Sequence, residues 1–562
     1  MKFGLKSYTL DKFFVKVVEK YSALPALASI GEQPFTYNEF GQRVHNLQKA
    51  LRNLGIQKTD KVIILGNSSP NWAIAYMAIT TMGAVAVPVL EGFPDADIDH
   101  IINHSGASAI FISNSLFQSL TLLSLEKIPL IFNLNDYTVL LNDENKEYWE
   151  NISKLTPKAK EGLRLNPKEN KKGAIHEDDL AEILYTSGTT GHSKGVMLSH
   201  RNIVSNIFEG PDILGVIDTN SIILSILPMA HAFGCTSAFL SIIYCGATIY
   251  YLNRPPSPKV LLNAMQEVRP TILGAVPLVF EKIYYKQVLP IIRKSSILPL
   301  LIRWDTTKKL LYRLIGKKVK QLLGGRLDCV IIGGASFSHE VEIFMQYARI
   351  PYSCGYGLSE CSPLVTFASM EEQKIGSPGH AIRDVKLKII EKDAETGVGE
   401  ICIKGPNIML GYYKDETATK NTFTKDGWFI SGDKGYLDED GLLFITGRTK
   451  NVIVGPSGEN IYPEIIEAKL QESLFVEEAI VYQQDKQIVA KIYPDYGYIE
   501  NAFKPASEQA LAAKVTELLE QVRIEVNTQL ASFSKINITI EQTTPFAKTP
   551  TNKIKRREHT PG

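Results

Sequence analysis

A strong net charge, paired cysteines and a long uninterrupted apolar run are all missing from this 562-residue chain. Lysine and arginine number 61 against 60 acidic residues, a formal net charge of +1. No global field is available to hold a polyanion, so nucleic acid is not expected as a partner and any basic patch is local. The six cysteines, at 235, 245, 329, 354, 361 and 402, form no CxxC pair and sit mostly in apolar runs. That pattern points to reduced core thiols rather than disulfides or zinc, and to a reducing, cytoplasmic setting. The opening MKFGLKSYTLDKFFVKVVEKY is charged throughout, so it lacks the apolar core of a secretory signal and reads as an amphipathic helix. Ala73 to Leu90 is apolar, but Thr80, Thr81, Gly83 and Pro88 divide it into a buried helix followed by a strand. No internal repeat is visible.

What is present is the composition of a soluble globular protein, 44% apolar and 22% charged. At roughly one domain per 150 residues, the length calls for several lobes or one large α/β body. From residue 61 short apolar runs alternate with helical stretches: KVIILG, a helix from Trp72, GAVAVPV, a helix over Asp95 to Asn103, ASAIFIS and PLIFNL. This order predicts a mainly parallel sheet. Asp143 to Asp179 is polar and reads as a surface connection to a second α/β unit, whose strands are EILYTSG, SIILSILP, ATIYYL, TILGAV, DCVIIGG and YSCGYG. Glycine punctuation from Gly376 suggests an antiparallel region. After Thr446 comes a small α+β set: EIIEAKLQ as a helix, EAIVYQQDKQIVAKIYP as a hairpin, a helix near Leu511 to Asn527, and INITIEQ as a strand. The expected fold is thus α/β, with a large N-terminal body of mainly parallel sheets flanked by helices, an antiparallel β region, and a small mobile α+β C-terminal domain. The boundary falls at Gly447 to Lys450, giving domains 1–447 and 448–562.

The densest chemistry lies in YTSGTTGHSKG, Tyr185 to Gly195. Gly188, Gly191 and Gly195 permit close backbone approach to an anion. Thr186, Ser187, Thr189 and Thr190 offer hydroxyls and Lys194 a cation, so the segment has the makings of a phosphate cradle. It does not match GxxxxGK[ST]. Further segments follow in order: LPMAHAFG at 227–234, GGAS at 333–336, GYGLSE at 355–360, GWFISGD at 427–433, GRTKNVIV at 447–454 and TPTNKIKR at 549–556. Together the series resembles that of the adenylate-forming enzymes: acyl- and aryl-CoA synthetases, adenylation domains and firefly luciferase.

That resemblance implies a set of roles. Thr186 and Glu360 would supply hard oxygens to a Mg²⁺ on the ATP phosphates. Tyr356 would stack on adenine, with Gly333, Gly334 and Ala335 leaving room for its plane and Gly357, Leu358 and Ser359 completing that wall. Asp433 would accept from the ribose hydroxyls with Arg448 nearby, and Lys553 would reach the α-phosphate and the substrate carboxylate. Lys450 matches the residue about which the C-terminal domain rotates between half-reactions. His231, Phe233 and Gly234 fall beside the acyl pocket, His231 also counting among the catalytic candidates with Lys553, Thr186 and Glu360. Two positions depart from the pattern: Asn552 stands where glycine is common and Val454 where many relatives carry lysine.

Within the family, VPLVFEKIY at 276–284 and GGASFSHE at 333–340 are most similar to bacterial long-chain fatty-acyl-CoA ligases. The implied reaction is ATP-dependent activation of a medium- or long-chain fatty acid to acyl-AMP with release of pyrophosphate, then transfer to CoA. An acyl carrier protein thiol is the alternative acceptor, and a non-catalytic nucleotide or lipid sensor the alternative from another class. Between Lys282 and Arg326, Asp305 is the only acid among many lysines, arginines and apolar residues. Such a region suits peripheral contact with the inner face of a membrane, an acidic carrier protein, or simply water.

Overall fold

The computed structural model describes all residues except 1, 120–124, 126, 141–172, 187–192, 255–256, 296, 455–458, 550–552 and 561–562. Most of the predicted 143–179 connection therefore lies outside the described residues.

Two large sheets face one another across a layer of helices. The first has nine strands, with a parallel centre made by Tyr352–Gly357, Cys329–Ile332, Ile272–Ala275, Ile222–Ser225, Thr248–Tyr251 and Pro25–Ser29. Antiparallel strands finish both edges. The second has seven strands, parallel across Leu180–Thr186, Val85–Val89, Lys61–Leu65, Ala109–Ile112 and Leu130–Asn133. These strands are short and almost continuously apolar because both of their faces are covered.

The helix Pro70–Thr81 shows why the sheets need each other. Ser69 caps it, accepting from the Trp72 N–H at 3.1 Å, and Pro70 starts it where no donor is lost. Trp72, Ile74, Tyr76, Met77 and Ile79 are all buried, so no face is left for water. At roughly 1.5–3 kcal/mol for each large apolar side chain removed from water, this central layer is a principal source of stability. The apolar stretch Ala73 to Leu90 is accordingly a buried helix and the strand Val85–Val89. Among the described residues no helix is long and apolar enough to cross a membrane.

A four-stranded antiparallel sheet, Lys386–Ile390, Gly399–Lys404, Phe429–Leu437 and Leu443–Arg448, follows as the glycine punctuation suggested. From Ile453 onward the apolar side chains form a core of their own. There the hairpin Val476–Gln484/Gln487–Pro494 is joined by Ile538–Glu541, with Pro463–Gln471 and Glu508–Asn527 among the helices that accompany it. All six cysteines are free, and all but Cys245 are buried.

Candidate active site

The strand Leu180–Thr186 belongs to the second sheet, and Lys194–Ser199 runs antiparallel beside it, pairing Thr186 with Lys194. The strand Leu180–Thr186 is thus followed in the sheet by a second strand, whereas a nucleotide-triphosphatase loop runs from strand into helix. Ser187, Gly188, Thr189, Thr190 and Gly191 lie outside the described residues. Their two flanks face a cleft of about 2100 Å³ between the large body and the C-terminal domain. Gly195 shows how tightly the base is built, because a Cβ there would lie 2.8 Å from Ile183 and 3.3 Å from the Tyr185 ring. The Lys194 ammonium stands over the Tyr412 ring, 5.0 Å from its centroid.

The opposite wall comes from the first sheet. Gly333 follows the strand Cys329–Ile332, and a Cβ on it would lie 3.2 Å from the Gly355 carbonyl and 3.6 Å from the Phe233 ring. Gly334 has φ +86°, a left-handed conformation that suits glycine, and Ala335 follows it into the cleft. On the neighbouring strand Tyr352–Gly357, Tyr356 is buried and donates to Asp433 Oδ2 at 2.7 Å. Gly357 is held so close to Pro363 that a Cβ would lie 2.1 Å from its carbonyl oxygen. Leu358, Ser359 and Glu360 continue along the cleft. Glu360 Oε1 accepts from the Tyr412 hydroxyl at 2.9 Å, and burial followed by the Glu360 charge pushes the Tyr412 phenol far above its ordinary pKa. Tyr412 escaped the sequence reading; in GYYK it has no spacing that separates it from any surface tyrosine.

Asp433 and Arg448 are register partners on adjacent antiparallel strands, which sets Arg448 Nε 3.4 Å from Asp433 Oδ1. Burial raises the Asp433 pKa, while Arg448, the Tyr356 hydrogen bond and Lys553 pull it back. Lys553 reaches the same cleft from the C-terminal domain, on a turn where its N–H donates to Thr549 Oγ1 at 3.1 Å. Although its side chain meets the water of the cleft, the surrounding walls lower its ammonium pKa; Arg448 lowers it further, and Asp433 and Glu360 oppose. His231 feels the same ammonium. Burial first and Lys553 second take its pKa down to about 4, so the imidazole is neutral at physiological pH. Its Nδ1 accepts from the Phe233 N–H at 3.3 Å, which fixes the ring's tautomer and direction.

The structure thus gathers Thr186, Lys194, His231, Phe233, Gly333, Gly334, Ala335, Tyr356, Glu360, Asp433, Arg448 and Lys553 around one cleft. Gly234 differs. It is buried and turned from the cleft, because a Cβ there would sit 2.0 Å from the Pro228 carbonyl oxygen; its smallness serves a backbone contact. Lys450 lies in the turn Thr449–Asn451, whose neighbours face opposite ways. Thr449 Oγ1 donates to Glu400 Oε1 at 3.1 Å, and Asn451 Nδ2 to Glu464 Oε1 at 2.6 Å. Val454 is exposed, and Asn552 lies outside the described residues.

The donor set also limits the kind of metal that fits. Among the described residues no three His, Cys, Asp or Glu side chains converge as a metal cage. Thr186 and Glu360 offer only a hydroxyl and a carboxylate on the cleft. That fits a hard cation which keeps its waters and takes other oxygens from a bound phosphate, as Mg²⁺ does.

Residues 14–413 match the family model described as AMP-binding enzyme. Fatty acyl-CoA synthetase A of Dictyostelium discoideum is 27% identical over 564 aligned residues, covering 93% of this chain and 83% of that protein. The long-chain-fatty-acid–CoA ligase FadD15 of Mycobacterium bovis is 26% identical, covering 93% and 90%. ATP-bound MatB from Rhodopseudomonas palustris superposes with a TM-score of 0.74 over 98% of each chain at 22% identity, a likeness of fold.

Proposed function

The chain belongs to the family of AMP-binding enzymes, and from that premise we propose that it activates a medium- or long-chain fatty acid with ATP and passes the acyl group to CoA. The fatty acyl-CoA synthetases and ligases among its relatives support the acid and the acceptor. One observation carries the mechanism: Lys553, from the C-terminal domain, faces Asp433, Glu360 and neutral His231 inside a single cleft.

In the first half-reaction a carboxylate oxygen attacks the α-phosphorus of ATP. The new C–O–P link forms as the bond to the β-phosphate oxygen breaks, and pyrophosphate leaves. Lys553 brings two anions together and balances the charge gathering on the α-phosphate oxygens. Asp433, its second oxygen tied by Tyr356, accepts from the ribose diol, with Arg448 beside the same sugar. The adenine lies against Tyr356 and the Gly333–Ala335 edge. Thr186 and Lys194, paired across adjacent strands, reach the phosphates. Thr186 and Glu360 would hold Mg²⁺, which supplies neutralisation of phosphate charge when bound. Neutral His231 orients the acyl end beside Phe233 without adding a competing cation.

In the second half-reaction the CoA thiolate attacks the acyl carbon and AMP leaves. The surroundings of Lys553 are then wrong for the incoming thiol, so domains 1–447 and 448–562 rotate about Lys450. The Thr449–Glu400 and Asn451–Glu464 contacts on either side of that residue support its place as the pivot. The enzyme works in the cytoplasm and draws its acid from the membrane face.

Product analysis tests the proposal. The protein with ATP, Mg²⁺ and fatty acids of graded length should give AMP and acyl-CoA when CoA and an acyl carrier protein compete as acceptors. Loading of the carrier protein alone would move the acceptor to a protein thiol. Absence of acid-dependent AMP would refute activation.

A further inference from the structure

Nearly half of the large apolar side chains left exposed among the described residues fall in the short stretch 278–322. Ile291, Ile297, Leu300, Leu310 and Leu314 are each more than half exposed, and Trp304 is 74% exposed. The helix Asp305–Leu322 shows that this is not a loosely packed edge. Its Tyr312, Gly316 and Val319 face is buried in the body, Gly316 so closely that a Cβ would lie 2.4 Å from the Ala348 carbonyl oxygen. The outward face carries Leu310, Arg313, Leu314, Lys317 and Lys318 at helical spacing.

The charge on this face is one-sided. Asp305, the only acid between Lys282 and Arg326, is already engaged by Lys309 at 2.7 Å and by the Tyr347 hydroxyl at 2.7 Å. Arg293, Lys294, Arg303, Arg313, Lys317 and Lys318 have no carboxylate partner among the described residues. Cations are therefore interleaved with protruding aliphatic and aromatic tips. An acidic protein would satisfy the cations but leave the tips wet unless it carried a matching groove. A bilayer with anionic headgroups satisfies both, taking the ammonium and guanidinium groups at the phosphate level and the tips among the acyl chains.

Position adds a second argument. The same run of helices begins at Pro277–Ile283 and Tyr284–Val288, where Leu278, Lys282, Tyr285 and Lys286 line the active-site cleft. We propose that the outward face of residues 291–295 and 297–318 docks on an anionic lipid surface, placing the cleft beside the bilayer from which the acid is taken. The role of the bilayer as the acid's source rests on the fatty-acid reading; the docking itself does not.

Sedimentation with vesicles of phosphatidylcholine alone, or mixed with phosphatidylglycerol, tests this. The wild type should partition onto the mixed vesicles, with a blue shift of tryptophan emission that Trp304→Phe removes, and should be released by salt. At about fivefold per cation, Arg303→Glu with Arg313→Glu and Lys317→Glu should lower partition by about a hundredfold or more. Leu300→Ser with Trp304→Ser should weaken it on mixed vesicles while sparing activity on soluble acid without vesicles, which also verifies folding. Equal partition of wild type and charge-reversed protein, or no partition, would overturn the surface. So would indifference to vesicles combined with retention of an acidic carrier protein through these same cations. Vesicle binding without acyl-CoA formation would instead refute the fatty-acid reading and leave the surface standing.

Discussion

Tyr356 Oη and Asp433 Oδ2 meet at 2.7 Å, joining the nine-stranded sheet to the antiparallel sheet beneath the cleft. Both residues are buried, and Arg448 approaches the other carboxylate oxygen. The carboxylate is thereby aimed before any nucleotide arrives. Loss of a hydrogen bond to a charged group costs about 1.5–3 kcal/mol, so Tyr356→Phe should raise the KM for ATP by about tenfold or more in acid-dependent pyrophosphate exchange. Asp433→Ala should be worse, because it removes the acceptor and leaves the Tyr356 hydroxyl unpaired. Unchanged KM in both variants would detach this pair from nucleotide binding.

Lys553 invites a test by pH. In the proposed reaction the working form is the ammonium, and burial with Arg448 lowers its pKa below the ordinary lysine value. The ammonium is complete below that lowered pKa and is lost as pH rises through it. Exchange should fall on the alkaline side earlier than a normal lysine would dictate, and Lys553→Ala should abolish that limb. The same substitution should cost about 10²–10³-fold in adenylation and spare thioester formation from preformed acyl-adenylate. Equal loss in both half-reactions would place Lys553 outside the first step.

Much of this arrangement was legible in the chain because it is written locally. Thr80, Thr81, Gly83 and Pro88 divide the apolar stretch from Ala73 into a buried helix and a strand, apolar runs flanked by glycine mark the parallel strands, and dense hydroxyls and glycines mark the segment bounded by Thr186 and Lys194. What was not legible depends on residues far apart in sequence. Tyr412 acquires meaning from Glu360 and Lys194, and Glu464 from Asn451 across the turn at Lys450. Resemblance sets Gly234 beside the acyl pocket with His231 and Phe233, and its close approach to the Pro228 carbonyl shows only in the folded chain. The face of Asp305–Leu322 carried a periodic pattern, but burial of Tyr312 and Val319 was needed to say which side met water.

Glu182 provides a stability test away from the catalytic groups. It is fully enclosed, accepts from the Tyr76 hydroxyl at 3.2 Å through Oε2, and has no hydrogen-bond partner at Oε1 among the described residues. Burial pushes its pKa up to about 8, against an ordinary value of 4.5. Between those values the folded chain holds a proton that the unfolded chain has released, so stability falls as pH rises through this window. Glu182→Gln cannot ionise and should remove that slope. Thermal midpoints measured from pH 5 to about 8 should diverge in favour of the variant by a few °C at the alkaline end. Parallel curves would show that Glu182 is ionised throughout.

Lys286 and Asp495 form an ion pair across the two domains, from the helix lining the cleft to the cap of Tyr496–Phe503. Leu474 of the C-terminal domain joins the large body's core cluster close by. The pair exists in the arrangement that delivers Lys553 to the cleft, so weakening it should disfavour adenylation and leave thioester formation largely intact. Lys286→Ala removes the cation. Asp495→Asn removes the charge yet keeps an oxygen for the Tyr498 N–H, which now donates to Asp495 Oδ1 at 2.9 Å. A half-buried pair at this position is worth on the order of 1 kcal/mol, about a fivefold loss of pyrophosphate exchange in either variant. The double variant should lose little more than each single one, since both remove the same contact. Additive losses, or equal losses in both half-reactions, would show that the pair supports folding without selecting a domain arrangement.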